Sequence, residues 1–219
     1  MIGHRGAMGY APENTLLSIN KAIELGADWV EVDVYLVDEE LIVIHDDTLD
    51  RTTNGHGRLV NYSFEELRKL DAGQGQKIPT LQEVIDVTCG VVGLNVELKG
   101  EGTAAALVDL VSNMSHKEKE RVIISSFLMS ELMDVFQLDK YLKIGVLASK
   151  NMDCSFNWAL KLKAFSIHIS KQDVTRELIE RAHHLGLKLY AYTVNEQEEI
   201  KQIKKMGADG VFSNYPDRR

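Results

Sequence analysis

The sequence predicts an α/β protein built as a closed (β/α)8 barrel, or TIM barrel, with a small insertion after the third strand. Three observations favour this fold. Short β-branched runs alternate with amphipathic helical stretches along nearly the whole chain. Gly26, Gly186 and Gly207 stand where helices should end, and a strand follows each of them. A chain of 219 residues, 44% hydrophobic and 26% charged, is long enough for one sizeable core.

The alternation defines the individual elements. The predicted strands are 2–4, 29–34, 41–45, 92–98, 121–126, 143–147, 165–169, 188–194 and 210–213. The predicted helices are 14–25, 80–88, 102–115, 128–138, 155–162, 173–185 and 196–206, with Asn14 capping the first. This is one strand too many for the barrel. Because residues 35–40 are too few for a crossover helix, one of the two runs beside them is an extended connector or a hairpin arm.

Residues 46–79 interrupt the alternation. They contain a turn-forming TNGHG stretch, a short helix at about 63–70 and a Gly-rich tail. Long loops inside compact domains are usually functional or disordered, and this one carries its own leucines and aromatic residues. We therefore expect a single domain over 1–219, in which the insertion 46–79 is ordered, covers the barrel mouth and selects the substrate.

Composition excludes several classes of function. The net charge of −8 argues against a nucleic-acid surface and against a basic membrane patch. No run approaches the ~20 apolar residues of a membrane span, so we expect no stable membrane insertion. Cys89 and Cys154 lack metal-site spacing and are expected to be reduced thiols. Without a targeting signal, the sequence predicts a cytoplasmic protein. Monomeric and homo-oligomeric states are both compatible with it.

Charged side chains gather at the predicted strand ends, where enzymes with this fold carry their active sites. In WVEVDV, Glu31 and Asp33 alternate with valines and therefore share one face of a strand. In NVELKG, Glu97 and Lys99 share a face in the same way. The first run ends in GHRG and the third at a histidine. The groups that converge are His4, Arg5, Glu31, Asp33, His45, Glu97 and Lys99.

These residue types together indicate one kind of chemistry. Three carboxylates with no cysteine nearby suit one hard divalent cation, Mg²⁺ or Ca²⁺, better than zinc. Arg5 and Lys99 beside such a cation suit a phosphate group. His4 and His45, on different strands, can move protons, one from the nucleophile and the other to the leaving oxygen. The residues thus predict a metal-dependent phosphodiesterase acting on a small molecule.

Eight separated motifs resemble the glycerophosphodiester phosphodiesterase family. In chain order they are GHRG, APENT, EVDV, VIHDDTLDRTTNG, VELK, SSF, YTVN and DGVFSNYPD. The resemblance covers essentially the whole chain and implies the same barrel, with an insertion after the third strand. It implies a metal at Glu31, Asp33 and Glu97, an acid/base pair of His4 and His45, and phosphate contacts from Arg5 and Lys99.

The implied reaction is hydrolysis of a glycerophosphodiester, such as glycerophosphocholine or glycerophosphoethanolamine, to glycerol 3-phosphate and an alcohol. A proposed route for the family begins with attack by the glycerol 2-hydroxyl and passes through a cyclic phosphate. This route is carried over from the resemblance alone.

Four further positions bear on the site. Phe127 in SSF is expected either to line the pocket or to belong to the core. Tyr192 stands where the family often has Trp, which implies an aromatic contact on the glycerol side. Asn214 stands where Asp is usual, and we expect it outside the catalytic set. His168 should face inward, first as a core histidine and second as a contact to the substrate head group.

Two other functions are compatible with the same fold. One is a phospholipase C/D-like phosphodiesterase or phosphotransferase acting on lysophospholipids or phosphoinositides. Such substrates favour an apolar or basic rim at the mouth, which a net charge of −8 does little to support. The other is a non-enzymatic barrel that binds a phosphate ester. That function needs at least one catalytic group replaced, whereas every predicted group is present.

Overall fold

The computed structural model of the protein describes residues 1–148 and 150–219 and forms the predicted (β/α)8 barrel. Its strands, in chain order, are β1 (Ile2–Gly3), β2 (Trp29–Val37), β3 (Glu40–Val43), β4 (Gly93–Leu98), β5 (Val122–Ser126), β6 (Lys143–Leu147), β7 (Ser166–Ser170), β8 (Lys188–Tyr192) and β9 (Gly210–Ser213). All except β3 run parallel, and β1 closes the barrel by pairing with both β2 and β9. The fold class predicted from the sequence is therefore confirmed.

The additional strand is a hairpin arm. β3 runs antiparallel to β2, with Val34 opposite Val43, and joins it through a turn at Asp38 and Glu39. Both turn residues have positive φ (49° and 68°), the backbone that tight hairpins require. β2 is long because its outer half pairs with this arm, beyond the barrel wall. The insertion that follows β3 consequently lies between the second and third strands of the barrel itself.

The hairpin also changes how His45 reaches the site. The sequence left open whether the run ending at His45 is a barrel strand or a hairpin arm, and the structure shows the hairpin arm. The chain returns along β2, so that the Ile44 amide donates to the Asp33 carbonyl oxygen at 3.0 Å. His45 therefore stands beside the carboxyl end of the barrel although its own strand runs in the opposite direction.

The helices follow the predicted order. They are α1 (Leu16–Glu24), α2 (Phe64–Leu67), α3 (Leu81–Thr88), α4 (Thr103–Val111), α5 (His116–Lys119), α6 (Met129–Leu138), α7 (Met152–Lys161), α8 (Arg176–His184) and α9 (Gln197–Met206). The predicted helix 102–115 ends early at Val111 and is followed by the separate turn of α5. Among residues 1–148 and 150–219, no helix has the length and apolar character that crossing a membrane requires.

The cap of α1 is Thr15, so the prediction of Asn14 is wrong. The Thr15 hydroxyl accepts from the Ser18 amide at 3.2 Å. Asn14 has a φ of 56°, and its side chain turns inward to a carboxylate. Asn and Thr are both good capping residues. The Asn14 side chain donates to the buried Asp33 carboxylate, which would be costly to leave without a donor, and Thr15 caps the helix instead.

Alternation along the strands separates core from site. Val32, Val96 and Leu98 are at most 1% exposed and belong to the main hydrophobic cluster, packed among helices. Glu31 and Asp33, on the other face of β2, point to the barrel interior. The sheet thus holds its carboxylates in a fixed frame of close-packed valines and leucines.

The insertion 46–79 has a small core of its own. Leu49, Leu59 and Leu67 are at most 2% exposed and pack with Ile42 and Ile44 from the hairpin side. Its regular structure is a short 3-10 helix, Leu59–Asn61, and α2, which is shorter than the predicted 63–70. The Ser63 hydroxyl and the Glu66 carboxylate cap α2 reciprocally.

Candidate active site

The loop after β1 is built on two glycines. A Cβ added to Gly3 would lie 2.7 Å from the Gly6 carbonyl oxygen, and one added to Gly6 would lie 2.5 Å from the Ser18 backbone of α1. Between them, Arg5 has a φ of 51°, in the left-handed region. Its amide donates to Glu31 Oε2 at 2.8 Å, and its carbonyl oxygen accepts from the Ser18 hydroxyl at 2.8 Å. These contacts fix the backbone that carries His4 and Arg5.

Glu31, Asp33 and Glu97 form one acidic cluster at the carboxyl ends of β2 and β4. Their ligand atoms lie within 4.8 Å of one another. Asp33 pairs with Glu97 in the strand register, so adjacent strands present the two side by side. Glu31 Oε1 and Asp33 Oδ1 are buried and have no hydrogen-bond partner among residues 1–148 and 150–219. The predicted carboxylates are thus brought together, with oxygen lone pairs unused.

The pKa values of the carboxyl groups indicate that their negative charges are not fully balanced by nearby positive charge. Burial, followed by repulsion from Asp33 and Glu97, raises the pKa of Glu31 well above its usual value. Burial and Asp33 raise the pKa of Glu97 to about 7, although Lys99 opposes the change. Hard divalent cations prefer carboxylate oxygens, and such an ion would relieve both effects. The residues present therefore fit the predicted metal.

Arg5 and Lys99 lie on either side of Asp33. Arg5 Nε is 3.3 Å from Asp33 Oδ2, and Lys99 Nζ is 3.8 Å from Asp33 Oδ1 and 2.8 Å from Glu97 Oε1. Burial alone would lower the pKa of Lys99, but attraction to Glu97 and Asp33 outweighs it and raises the pKa. Both groups stay cationic at neutral pH and can bind a phosphate beside the carboxylates.

His45 is held between an acid and a base. Its Nδ1 lies 2.5 Å from Asp46 Oδ1, and its Nε2 lies 3.2 Å from Lys99 Nζ. Asp46 also accepts from Arg51 Nε at 2.6 Å. The Arg51 hydrogen bond, with a smaller contribution from His45, holds the pKa of Asp46 well below its usual value. The carboxylate is therefore ionised and keeps the imidazole in one orientation.

His4 has a different partner. Its Nδ1 donates to Asn214 Oδ1 at 2.8 Å, which leaves Nε2 for the site. Burial and then the nearby Arg5 charge lower the pKa of His4 to about 4, despite the opposing hydrogen bond from Asn214. The expectation that Asn214 lies outside the catalytic set stays a prediction, and the structure shows that Asn214 contacts a predicted catalytic side chain directly.

Three contacting residues were missed from the sequence. Asn14 Nδ2 donates to Asp33 Oδ2 at 2.9 Å. Glu13 accepts at 2.6 Å from both Arg5 and Arg51, so a chain of ion pairs joins the two histidine segments. All three lie in the APENT and HDDTLDRT stretches, where polar residues recur without the periodicity of a strand or helix. That is the signal which could have identified them.

The remaining predicted residues line the same cavity, which has a volume of about 160 Å³. Phe127 and Tyr192 meet edge to face at its mouth, with ring centroids 6.3 Å apart. Phe127 is 46% exposed, so its alternative placement in the core is wrong. His168 lies deeper in the cavity. A larger cavity of about 410 Å³, lined by Ile85 and Arg121, contains none of these groups.

A (β/α)8 barrel whose mouth combines an acidic centre with cationic neighbours defines a hydrolase of phosphoric diesters. Residues 4–218 match the model of the Glycerophosphoryl diester phosphodiesterase family, and the chain belongs to this family. The resemblance noted from the motifs is thereby confirmed, and the protein is an enzyme of the phosphodiesterase class.

Individual relatives agree with this assignment. A glycerophosphodiester phosphodiesterase of Caldanaerobacter subterraneus is 38% identical, over 99% of this chain and 94% of the relative. One from Bacillus subtilis is 33% identical, over 99% of this chain and 83% of the relative. A solved structure of an Oleispira antarctica phosphodiesterase, in complex with the product sn-glycerol-3-phosphate, superposes with a TM-score of 0.92. It is 33% identical and covers 99% of this chain and 93% of that one.

Proposed function

We propose that this enzyme hydrolyses glycerophosphodiesters, such as glycerophosphocholine and glycerophosphoethanolamine, to glycerol 3-phosphate and an alcohol. The observation that carries the proposal is the cluster of Glu31, Asp33 and Glu97, with Arg5 and Lys99 beside it. The product bound in the Oleispira antarctica relative gives further support. A cation site with an arginine and a lysine beside it suits the phosphate of a small charged diester better than an apolar lipid tail.

Glu31, Asp33 and Glu97 would hold one divalent cation, Mg²⁺ or Ca²⁺. When bound, the cation supplies Lewis-acid stabilisation of the negative charge on the phosphate oxygens. Lys99 and Arg5 bind the same phosphate from the protein side and keep it in line with the nucleophile. Asn14 fixes the rotamer of Asp33 through its 2.9 Å hydrogen bond.

The two histidines carry the protons. His4, neutral and with Nε2 free, removes the proton from the attacking hydroxyl, which is the glycerol 2-hydroxyl in a cyclic route or water in a direct one. His45, whose ring the Asp46 carboxylate orients through Nδ1, protonates the departing alcohol oxygen. The bond to the nucleophile forms as the bond to the alcohol breaks. In the direct route this gives glycerol 3-phosphate at once, whereas in the cyclic route water then attacks the cyclic phosphate and breaks its bond to the 2-oxygen, which takes up a proton.

We further propose that the insertion 46–79 covers the mouth and, together with Phe127 and Tyr192, selects the substrate. Its first residues include Asp46 and Arg51, which contact the His45 side of the site. Replacing about 50–76 with a Gly-Ser linker should raise KM or broaden substrate choice while the metal site still forms. Arg51→Ala is the matched control, because it removes the ion pairs with Glu13 and Asp46 but leaves the insertion in place. Unchanged discrimination between glycerophosphocholine and lysophosphatidylcholine in the linker variant would remove this role.

The function is tested by measuring glycerol 3-phosphate release from several glycerophosphodiesters and from lysophosphatidylcholine, with Mg²⁺, Ca²⁺ or excess chelator. Chelation should abolish turnover, and Asp33→Asn should weaken metal binding strongly, because it removes a buried charged ligand. Metal should also raise Tm, since it binds the folded site and not the unfolded chain. Asp47→Asn, at an exposed neighbour, is the control. Full turnover after dialysis into chelator would eliminate the metal. A cytoplasmic location stays a prediction.

A further inference from the structure

Polar side chains continue below the carboxylates, where a barrel interior is ordinarily filled by branched apolar residues. Asn95, Ser125, Ser166 and His168 are each at most 1% exposed. They come from β4, β5 and β7. Asn95, Ser125 and His168 line the site cavity, and Ser166 contacts His168. Buried polar groups in folded proteins have partners, so this floor requires an explanation.

Two atoms of the floor are unpaired. Asn95 Nδ2 donates to Ser125 Oγ at 2.8 Å, and His168 Nε2 lies 2.9 Å from Ser166 Oγ. These contacts leave Asn95 Oδ1 and His168 Nδ1 buried, with no hydrogen-bond partner among residues 1–148 and 150–219. Both residues line the cavity that also contains His4 and Glu97. Two unsatisfied atoms at the end of one pocket are placed to meet a ligand.

The position of His168 depends on a neighbouring glycine. A Cβ added to Gly145 would lie 2.7 Å from His168 Nε2 and 3.1 Å from Ser166 Oγ. The imidazole also packs against Tyr190 and Phe212, with centroids 5.4 and 5.1 Å away. Burial lowers the pKa of His168 to about 3, so the ring is neutral at physiological pH. A neutral ring offers a partner for a hydroxyl and no charge for a phosphate.

We propose that His168 Nδ1 and Asn95 Oδ1 bind the hydroxyl groups of the glycerol moiety and make the enzyme specific for glycerol esters. This inference rests on the proposed function and deepens it. Glycerol is the constant part of these substrates, and a small closed floor suits it. The alcohol varies in size and needs an open path, which the exposed Phe127 side of the mouth provides. The phosphate is served by Arg5 and Lys99.

The experiment compares two ligands that share a phosphate and differ only in hydroxyls. Binding of sn-glycerol 3-phosphate and of n-propyl phosphate to the Mg²⁺-loaded enzyme is measured by calorimetry. The native enzyme should prefer glycerol 3-phosphate by on the order of 10²-fold, because the analogue leaves buried polar atoms unpaired. His168→Phe and Asn95→Leu should each lower this preference about 10-fold, without changing the affinity for propyl phosphate.

Two matched variants separate recognition from packing. Tyr190→Phe alters a neighbour that packs on His168, and it should keep the preference. His168→Asn returns a polar atom near the Nδ1 position and should restore part of it. Equal loss of affinity for both ligands in His168→Phe would mean that the histidine is structural and overturn the proposal.

A preference near one in the native enzyme overturns it without any variant, even if His168→Phe fails to fold. Failure of the proposed function looks different: the native enzyme would then release no glycerol 3-phosphate from glycerophosphocholine, whatever its preference between the two ligands.

Discussion

The two histidines of the site occupy contrasting surroundings. His4 stands on a barrel strand end and pairs with the uncharged amide of Asn214. His45 stands on a returning hairpin arm, is 30% exposed, and pairs with the ionised carboxylate of Asp46, itself fixed by Arg51. The direct partner of one histidine is thus neutral, and the direct partner of the other is ionised.

This contrast indicates a division of labour. A histidine whose pKa is held at about 4 is neutral at pH 7 and can accept a proton. His45 lies beside the ionised Asp46 carboxylate, which orients its ring, and we assign it the opposite role of proton donor. These different surroundings support the proposal that one of two chemically identical side chains acts as a base and the other as an acid.

The largest expected effect comes from removing either histidine. His4→Ala and His45→Ala should each lower turnover of glycerophosphocholine by about 10²–10⁴-fold, the range for general acid–base groups. A glycerophosphodiester with a 4-nitrophenol leaving group sharpens the comparison, because that group departs without a proton. His45→Ala should recover much of its activity on this substrate, whereas His4→Ala should not. Equal recovery of both variants would abolish the proposed division.

The next effect concerns the charged partner. Asp46→Asn should lower turnover about 10-fold to 100-fold, the range for groups that orient a functional side chain. The amide oxygen can still accept from His45 Nδ1, but the variant lacks the negative charge beside the ring. Initial rates over a series of leaving groups measure this. The matched control is Asp47→Asn, whose exposed carboxylate pairs with Arg58 at 3.3 Å. If Asp46→Asn and Asp47→Asn had the same turnover, the contact between His45 and Asp46 would make no contribution to catalysis.

A smaller effect is expected when the neutral partner is given a charge. Asn214→Asp should raise the pKa of His4 by about 1–3 units, because an adjacent carboxylate favours the imidazolium. In the native enzyme the basic form of His4 is lost only as pH falls through about 4. In the variant this loss should begin at higher pH, so the acid limb of kcat/KM moves upward. NMR titration of the His4 ring measures the same shift directly, and an unmoved resonance would rule it out.

The smallest effect compares how each side is supported. Thr15→Ala removes the cap of α1, behind the His4 loop, and should lower the global free energy of unfolding by about 1 kcal/mol. Ser63→Ala removes the cap of α2 in the insertion, and its effect should be confined there. Denaturant unfolding and amide hydrogen exchange distinguish the two outcomes. Equal global destabilisation would show that the insertion and barrel unfold together.

Local patterns were sufficient for most of the fold. Strand alternation predicted that Glu31 and Asp33 would face away from the valine core, and the spacing around 35–40 restricted the surplus strand to a connector or hairpin arm. The connector and the hairpin arm are distinguished by the pairing of Val34 with Val43, and no local sequence pattern indicates that pairing. The capping error at Asn14 has the same origin, since its partner Asp33 lies on another element.

The parts of the site formed by charged residues at strand ends could be predicted from the sequence. The parts that depend on contacts between residues far apart in the chain could not. The seven predicted charged groups meet, because parallel strands deliver their carboxyl ends to one place. Their catalytic roles stay predictions. Glu13 and Arg51 look like surface residues until the fold joins them, at 2.6 Å, across 38 positions. Asn214 was singled out only as a departure from the family motif, because its partner His4 lies 210 positions away in the chain.

The hydrogen bond between His4 and Asn214 also has a consequence for biosynthesis. Its two residues are separated by 210 positions, and β1 gains its second neighbour only when β9 pairs with it. While the ribosome is still making the chain, the first strand has an open edge and His4 lacks its partner. Hydrolytic activity should therefore appear late, after Asn214 leaves the exit tunnel, and nascent chains arrested before that point should be inactive even with every carboxylate translated.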